Sequence, residues 1–94
     1  MKIETITPSV GNVFTDLGFS DEEATLLKMR ADLMAHLRTT IESKGWTQAV
    51  AAKTLGVSQA RISDLVRGKW DKFSLDMLVS LLVRSGQHCE LAIA

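Results

Sequence analysis

Ninety-four residues suffice for one domain with a modest core and little stability to spare. Apolar residues at 46% against charged residues at 23% exclude intrinsic disorder, and no apolar run approaches the length of a bilayer span. The formal net charge of zero excludes a uniformly basic surface, so any affinity for nucleic acid has to come from where the charges fall along the chain.

Residues 1–19 hold the single proline, Pro8, with Gly11, Gly18 and short apolar clusters at Val13, Phe14 and Leu17. They lack sustained periodicity, so the expectation is an arm in which KIETIT, residues 2–7, has strand character. Ser20-Asp21-Glu22-Glu23 is a capping box that opens a helix running to about Ser43. Leu26, Leu33, Leu37 and Ile41 are expected on its buried face, interrupted by Arg30, with Gly45 as its stop. Thr47 caps a second helix over residues 48–55, Gly56 ends it, and Ser58 caps a third that runs to about Arg67 and stops at Gly68. Residues 69–73 read as a loop in which Trp70 is a packing residue rather than a ligand contact. Ser74 opens a fourth helix with Leu75, Leu78, Leu81 and Leu82 apolar, Phe73 stapled onto Leu78, and Gly86 as its stop.

The last residues, HCELAIA, alternate, with Cys89, Leu91 and Ile93 to one side. A lone strand leaves its backbone groups unpaired, so it needs either residues 2–7 or the same strand of a second subunit. The second option makes the chain a homodimer sealed by Cys89, Leu91 and Ile93. The expected fold is therefore mainly α: a compact helical bundle containing a helix-turn-helix, with a short C-terminal β-strand pairing across a dimer. Its parts are an arm (1–19), a DNA-binding helix-turn-helix unit (20–86) and a dimerisation strand (87–94).

The helix-turn-helix reading rests on LGVSQARIS, residues 55–63. Glycine takes the left-handed conformation that ends one helix, and serine two residues later accepts from an orphaned N–H of the next. Ala51 and Ala52 permit close approach of the two helices, Val57 plugs the corner, and Ile62 and Leu65 face back at helical spacing. The second helix of such a pair enters the major groove of double-stranded DNA, where each base pair shows its own pattern of donors and acceptors.

Ser58, Gln59 and Ala60 would then face base edges, with Ser63 and Asp64 one turn on. Gln59 is the sharpest candidate, because a glutamine amide can pair bidentately with adenine. Gln48 is placed to hold a phosphate where the preceding helix crosses the backbone. Arg61, Arg67, Lys69 and Lys72 are expected phosphate contacts, and Asp64 is expected to pair with Arg61 or Arg67. The charge distribution agrees: Lys44, Lys53, Arg61, Arg67, Lys69 and Lys72 face only Asp64 and Asp71 in residues 44–72. In residues 1–23, Glu4, Asp16, Asp21, Glu22 and Glu23 stand against Lys2 alone, which suits a partner of opposite charge.

An enzyme is not expected. His36 and His88 are far apart in sequence, no Cys/His pair has metal-ligand spacing, and there is no glycine-rich phosphate loop. No metal and no cofactor are called for. Without the basic and apolar regions of a signal peptide, and with one cysteine that has no partner in the chain, the expected setting is cytoplasmic, away from a membrane.

TQAVAAKTLGVSQARISDLVRGK, residues 47–69, resembles the Xre/Cro/C1-type helix-turn-helix of bacterial repressors. NVFTDLGFSDEEA, residues 12–24, and KFSLDMLVSLLVRSG, residues 72–86, narrow the resemblance to small HigA-type antitoxins of toxin–antitoxin operons. The resemblance implies a homodimer that represses its own operon and neutralises a basic RelE-like nuclease that cleaves mRNA. It carries DNA contact onto Gln48 and Gln59, further groove and phosphate contacts onto Ser58, Arg61 and Ser63, and toxin binding onto Val13, Phe14, Leu17 and Phe19. Two positions depart from the pattern: Ala60 stands where relatives often have proline, and Trp70 where an aliphatic residue is more usual. A stand-alone regulator without a toxin, and a protein-interaction module that keeps the motif only as scaffold, are the competing functions.

Overall fold

The computed structural model describes residues 3–6 and 13–93. Pro8, Gly11 and the remainder of the expected arm, with Ala94, lie outside the described residues. In chain order the elements are strand β1 (Ile3–Ile6), helices α1 (Val13–Asp16), α2 (Asp21–Ser43), α3 (Gln48–Leu55) and α4 (Gln59–Val66), a 3-10 turn (Trp70–Lys72), helix α5 (Leu75–Arg84) and strand β2 (Leu91–Ile93).

Each longer helix starts where a hydroxyl can accept from the backbone of the first turn. Ser20 accepts from Glu23 N at 3.2 Å and its Oγ–H donates to Glu23 Oε1 at 2.9 Å, completing the capping box. Thr47, Ser58 and Ser74 accept from Val50, Arg61 and Met77 in the same way. Gly56 ends α3 at φ +72°, a left-handed backbone that an L side chain would occupy only under strain.

One core holds the bundle together. Leu33, Met34, Leu37 and Ile41 of α2 meet Leu78, Leu81 and Leu82 of α5, with Ala51, Ala52 and Leu55 of α3, Ile62 and Leu65 of α4 and Phe73 closing it. Phe73 immediately precedes the Ser74 cap and is buried in the same cluster as Leu78, the arrangement expected of a staple. Leu26, by contrast, is 38% exposed. The buried stripe of α2 runs through Leu27, Met34 and Ile41, flanked by Leu33, Leu37 and Thr40. At about 100° per residue Leu26 lies on the same face as Leu33 and Leu37, so its exposure reflects its place along the helix: the core cluster takes residues of α2 only from Leu33 onward. Arg30 is half-buried, and its Nε has no hydrogen-bond partner among the described residues.

Two other expectations change. Part of the arm is helical: α1 packs on α2, and its chain continues through Leu17 N to Val13 O at 3.1 Å and Phe19 N to Phe14 O at 3.2 Å. The C-terminal strand finds its partner within the chain, β2 pairing in parallel with β1 through Ile3 with Leu91 and Ile6 with Ile93, with a register shift between the two pairs. This is the first of the two pairings the alternation left open. Gln87 ties the entry to β2 back to α2 by donating from Nε2 to Thr40 Oγ1, which in turn donates to His36 O at 2.9 Å. No helix among the described residues is long and apolar enough to cross a membrane.

Candidate nucleic-acid interface

Helices α3 and α4 pack against each other around the Gly56 corner. Val57 is half-buried against the core, and Ala51, Ile62 and Leu65 are fully buried, so the apolar residues that define the corner all point inward. Arg84 adds a contact from α5: its Nη1 donates to Leu55 O at 2.9 Å, satisfying a carbonyl at the C-terminus of α3. A link spanning 29 positions leaves no local signal, and the sequence reading missed it.

What remains outward is mainly polar, with Val50 and Val66 as exposed apolar residues. Gln48 and Gln59 each occupy the first residue of their helix, directly after the Thr47 and Ser58 caps, and both are exposed. Ser58 and Ala60 are exposed beside Gln59, and the Ser58 oxygen that accepts from Arg61 N still leaves its O–H able to donate outward. Neither α3 nor α4 carries an acidic residue in its first turn, whereas α2 carries Asp21, Glu22 and Glu23 there. The positive ends of the two helix dipoles in the motif are therefore left uncompensated, which favours phosphate, and that of α2 is not. Ser63 is half-buried one turn into α4.

The basic residues divide into two groups. Lys53, Arg67 and Lys72 are exposed. Arg61, expected on phosphate, is half-buried and engaged: Nη1 donates to Lys72 O at 2.7 Å and the guanidinium lies 5.5 Å from the centre of the Phe73 ring. Asp64 pairs with Lys69 at 3.6 Å, not with Arg61 or Arg67. The reason lies in the backbone after α4, where the chain doubles back so that Lys69 N donates to Asp64 O at 3.0 Å and brings the two side chains together. This pair is partly exposed and holds Lys69 beside α4, so Asp64 presents a compensated charge to a polyanion.

A different surface forms at the other end of α2. Phe14 is half-buried and meets Phe19 edge to face at 6.3 Å, while Val13 and Leu17 are 58% and 68% exposed. Leu26, near the start of α2, is also partly exposed, and Asp16, Asp21, Glu22 and Glu23 are exposed in the same stretch of chain. Thr15 Oγ1 is buried here without a hydrogen-bond partner among the described residues. At the opposite terminus Cys89 is half-buried in a shallow groove formed with Met29, Leu33, Leu75 and Val79, and Leu91 and Ile93 are exposed. The outward glutamines of the motif, the acidic apolar face and the exposed strand residues thus belong to different elements of the fold.

No curated protein matches the chain. A family model described as a helix-turn-helix domain matches residues 13–94, from α1 through the C-terminal strand. With that match covering the caps, the corner and the outward glutamines, the chain belongs to the helix-turn-helix domain family and is a DNA-binding regulator.

Proposed function

We propose that the chain is a sequence-specific repressor of its own operon and the antitoxin of a HigBA-type toxin–antitoxin pair. The carrying observation is the exposure of Gln48 and Gln59 at the first residues of α3 and α4, beside acid-free helix starts. Gln59 reads a base edge from the major groove, with Ser58, Ala60 and Ser63 lining the same helix and Asp64 held back by Lys69. Gln48 holds a phosphate, and Arg67, Lys69 and Lys72 add sequence-independent affinity. Arg61 supports α4 from behind instead of reaching for phosphate.

The protein works as a homodimer, because two half-sites on a duplex call for two copies related by a two-fold axis. Exposed Leu91 and Ile93 on a two-stranded ribbon support this, since so small a sheet is marginal by itself. The acidic, apolar face of Val13, Leu17, Phe19 and Leu26, supported by Phe14, is what favours a toxin partner over a stand-alone regulator. It suits a basic nuclease.

A reporter driven by DNA from immediately upstream of the gene tests both halves. Full-length protein represses it, and Gln48→Ala with Gln59→Ala lifts repression. Val13→Asp with Leu17→Asp, at exposed positions, leaves a folded DNA binder that no longer rescues growth from the product of the neighbouring gene. Repression unaffected by the glutamine substitutions contradicts base readout by α4, and rescue by the Val13→Asp, Leu17→Asp protein contradicts the toxin surface.

A further inference from the structure

The sequence predicts a packing role for Trp70, yet it is 40% exposed and stands outside the core that Phe73, three residues on, enters completely. The turn that carries it is bound firmly to α4. Arg61, from the first turns of α4, donates to Lys72 O at 2.7 Å and lies over Phe73, and Asp64 pairs with Lys69. Within the turn, Trp70 N donates to Gly68 O at 2.9 Å and Phe73 N donates to Trp70 O at 3.2 Å. The turn is therefore tied to α4 by a hydrogen bond, a cation–π contact and an ion pair. It carries an exposed indole next to the proposed groove helix, in a stretch where Lys69 and Lys72 are also exposed.

We propose that Trp70 is a DNA-contacting residue, its indole packing on the sugar–phosphate backbone next to the groove occupied by α4, with Lys72 on the adjoining phosphate. The inference rests on the reading of α4 as the groove helix. Its occupant is chosen by charge and continuity: exposed Arg67, Lys69 and Lys72 outnumber exposed Asp71 and favour a polyanion, and the turn is bonded to the helix read as meeting DNA. An indole brings apolar area and an N–H donor together, which fits a deoxyribose face with a phosphate oxygen at its edge. Such a contact adds affinity and orientation without discriminating bases. Arg61 is then a positioning residue for Trp70.

Two single-tryptophan proteins give a direct readout, Trp46→Phe leaving Trp70 as reporter and Trp70→Phe leaving Trp46. Titration with the upstream duplex should change the emission of the first and leave that of the second unchanged. Trp70→Ala should weaken binding to upstream and scrambled duplexes alike, by about fivefold to thirtyfold, with the salt slope preserved because no charge is lost. Lys72→Ala should instead lower the slope by about 1. Circular dichroism checks that each variant is folded, and sedimentation measures its dimer fraction. Unchanged affinity of folded Trp70→Ala, or a loss that disappears once the dimer concentration is matched, overturns the contact while leaving the groove reading in place. Failure of the unsubstituted protein to bind any duplex overturns both.

Discussion

At the scale of single residues, position within a helix decides what a side chain is free to do. Gln59 and Arg61 are two apart on α4, yet one is exposed and the other is spent on Lys72 O and the Phe73 ring. Charge alone would rank Arg61 as the stronger candidate for a DNA contact, but its guanidinium is already engaged within the fold. Gly56 is the other residue with a sharply defined task. A Cβ there would meet Arg84 Nη1 at 3.6 Å, an ordinary contact, so the cost of a side chain is the left-handed backbone itself. Gly56→Ala should lower stability by about 1 kcal/mol, read as a shifted denaturant midpoint, with DNA affinity per folded molecule retained. A midpoint equal to that of the unsubstituted protein would show that the corner is not under this constraint.

At the scale of elements, the start of α4 and the end of α3 each receive a side-chain hydrogen bond beside their backbone bonds. Ser58→Ala removes the acceptor for Arg61 N and should cost about 1 kcal/mol. Arg84→Met keeps much of the side-chain bulk but removes the donor to Leu55 O, and a similar loss of about 1 kcal/mol is expected in thermal melting. If melting is unchanged for either variant, the corresponding bond contributes nothing net. The caps at Ser20, Thr47, Ser58 and Ser74 could be read from the sequence because each acts on a backbone N–H three residues away. The burial of Leu55, Ile62 and Leu65 was readable for a similar reason, since helical spacing around a glycine corner leaves them few places to go. Leu26 shares a face with Leu33 and Leu37 yet is exposed; it was misplaced because periodicity gives the face of a helix and not how far along it the core extends. The Asp64 partner was misread because Lys69 reaches it only after the chain reverses beyond α4. One-turn α1 lay below what periodicity can detect, as four residues make little more than one turn.

At the scale of the whole molecule, the zero net charge conceals a division of labour. The motif carries exposed lysines and Arg67, the α1 end carries exposed carboxylates near apolar residues, and the C-terminal ribbon carries Leu91 and Ile93. The alternation of HCELAIA was sufficient to place a strand, but period-two patterning says nothing of which partner a strand takes, and the β1 pairing had to come from the fold. Leu91→Asp should lower the dimer fraction in sedimentation equilibrium and weaken operator binding in proportion; an unaltered dimer would remove this edge from the interface. The central claim, that α4 reads bases through Gln59, is tested most directly by titrating the unsubstituted protein and Gln59→Ala against the DNA immediately upstream of the gene and a scrambled duplex at two salt concentrations. The account predicts specific, salt-sensitive binding that the substitution weakens by about 1–3 kcal/mol on the upstream DNA. Equal affinity for the scrambled duplex, or no effect of Gln59→Ala, would contradict it.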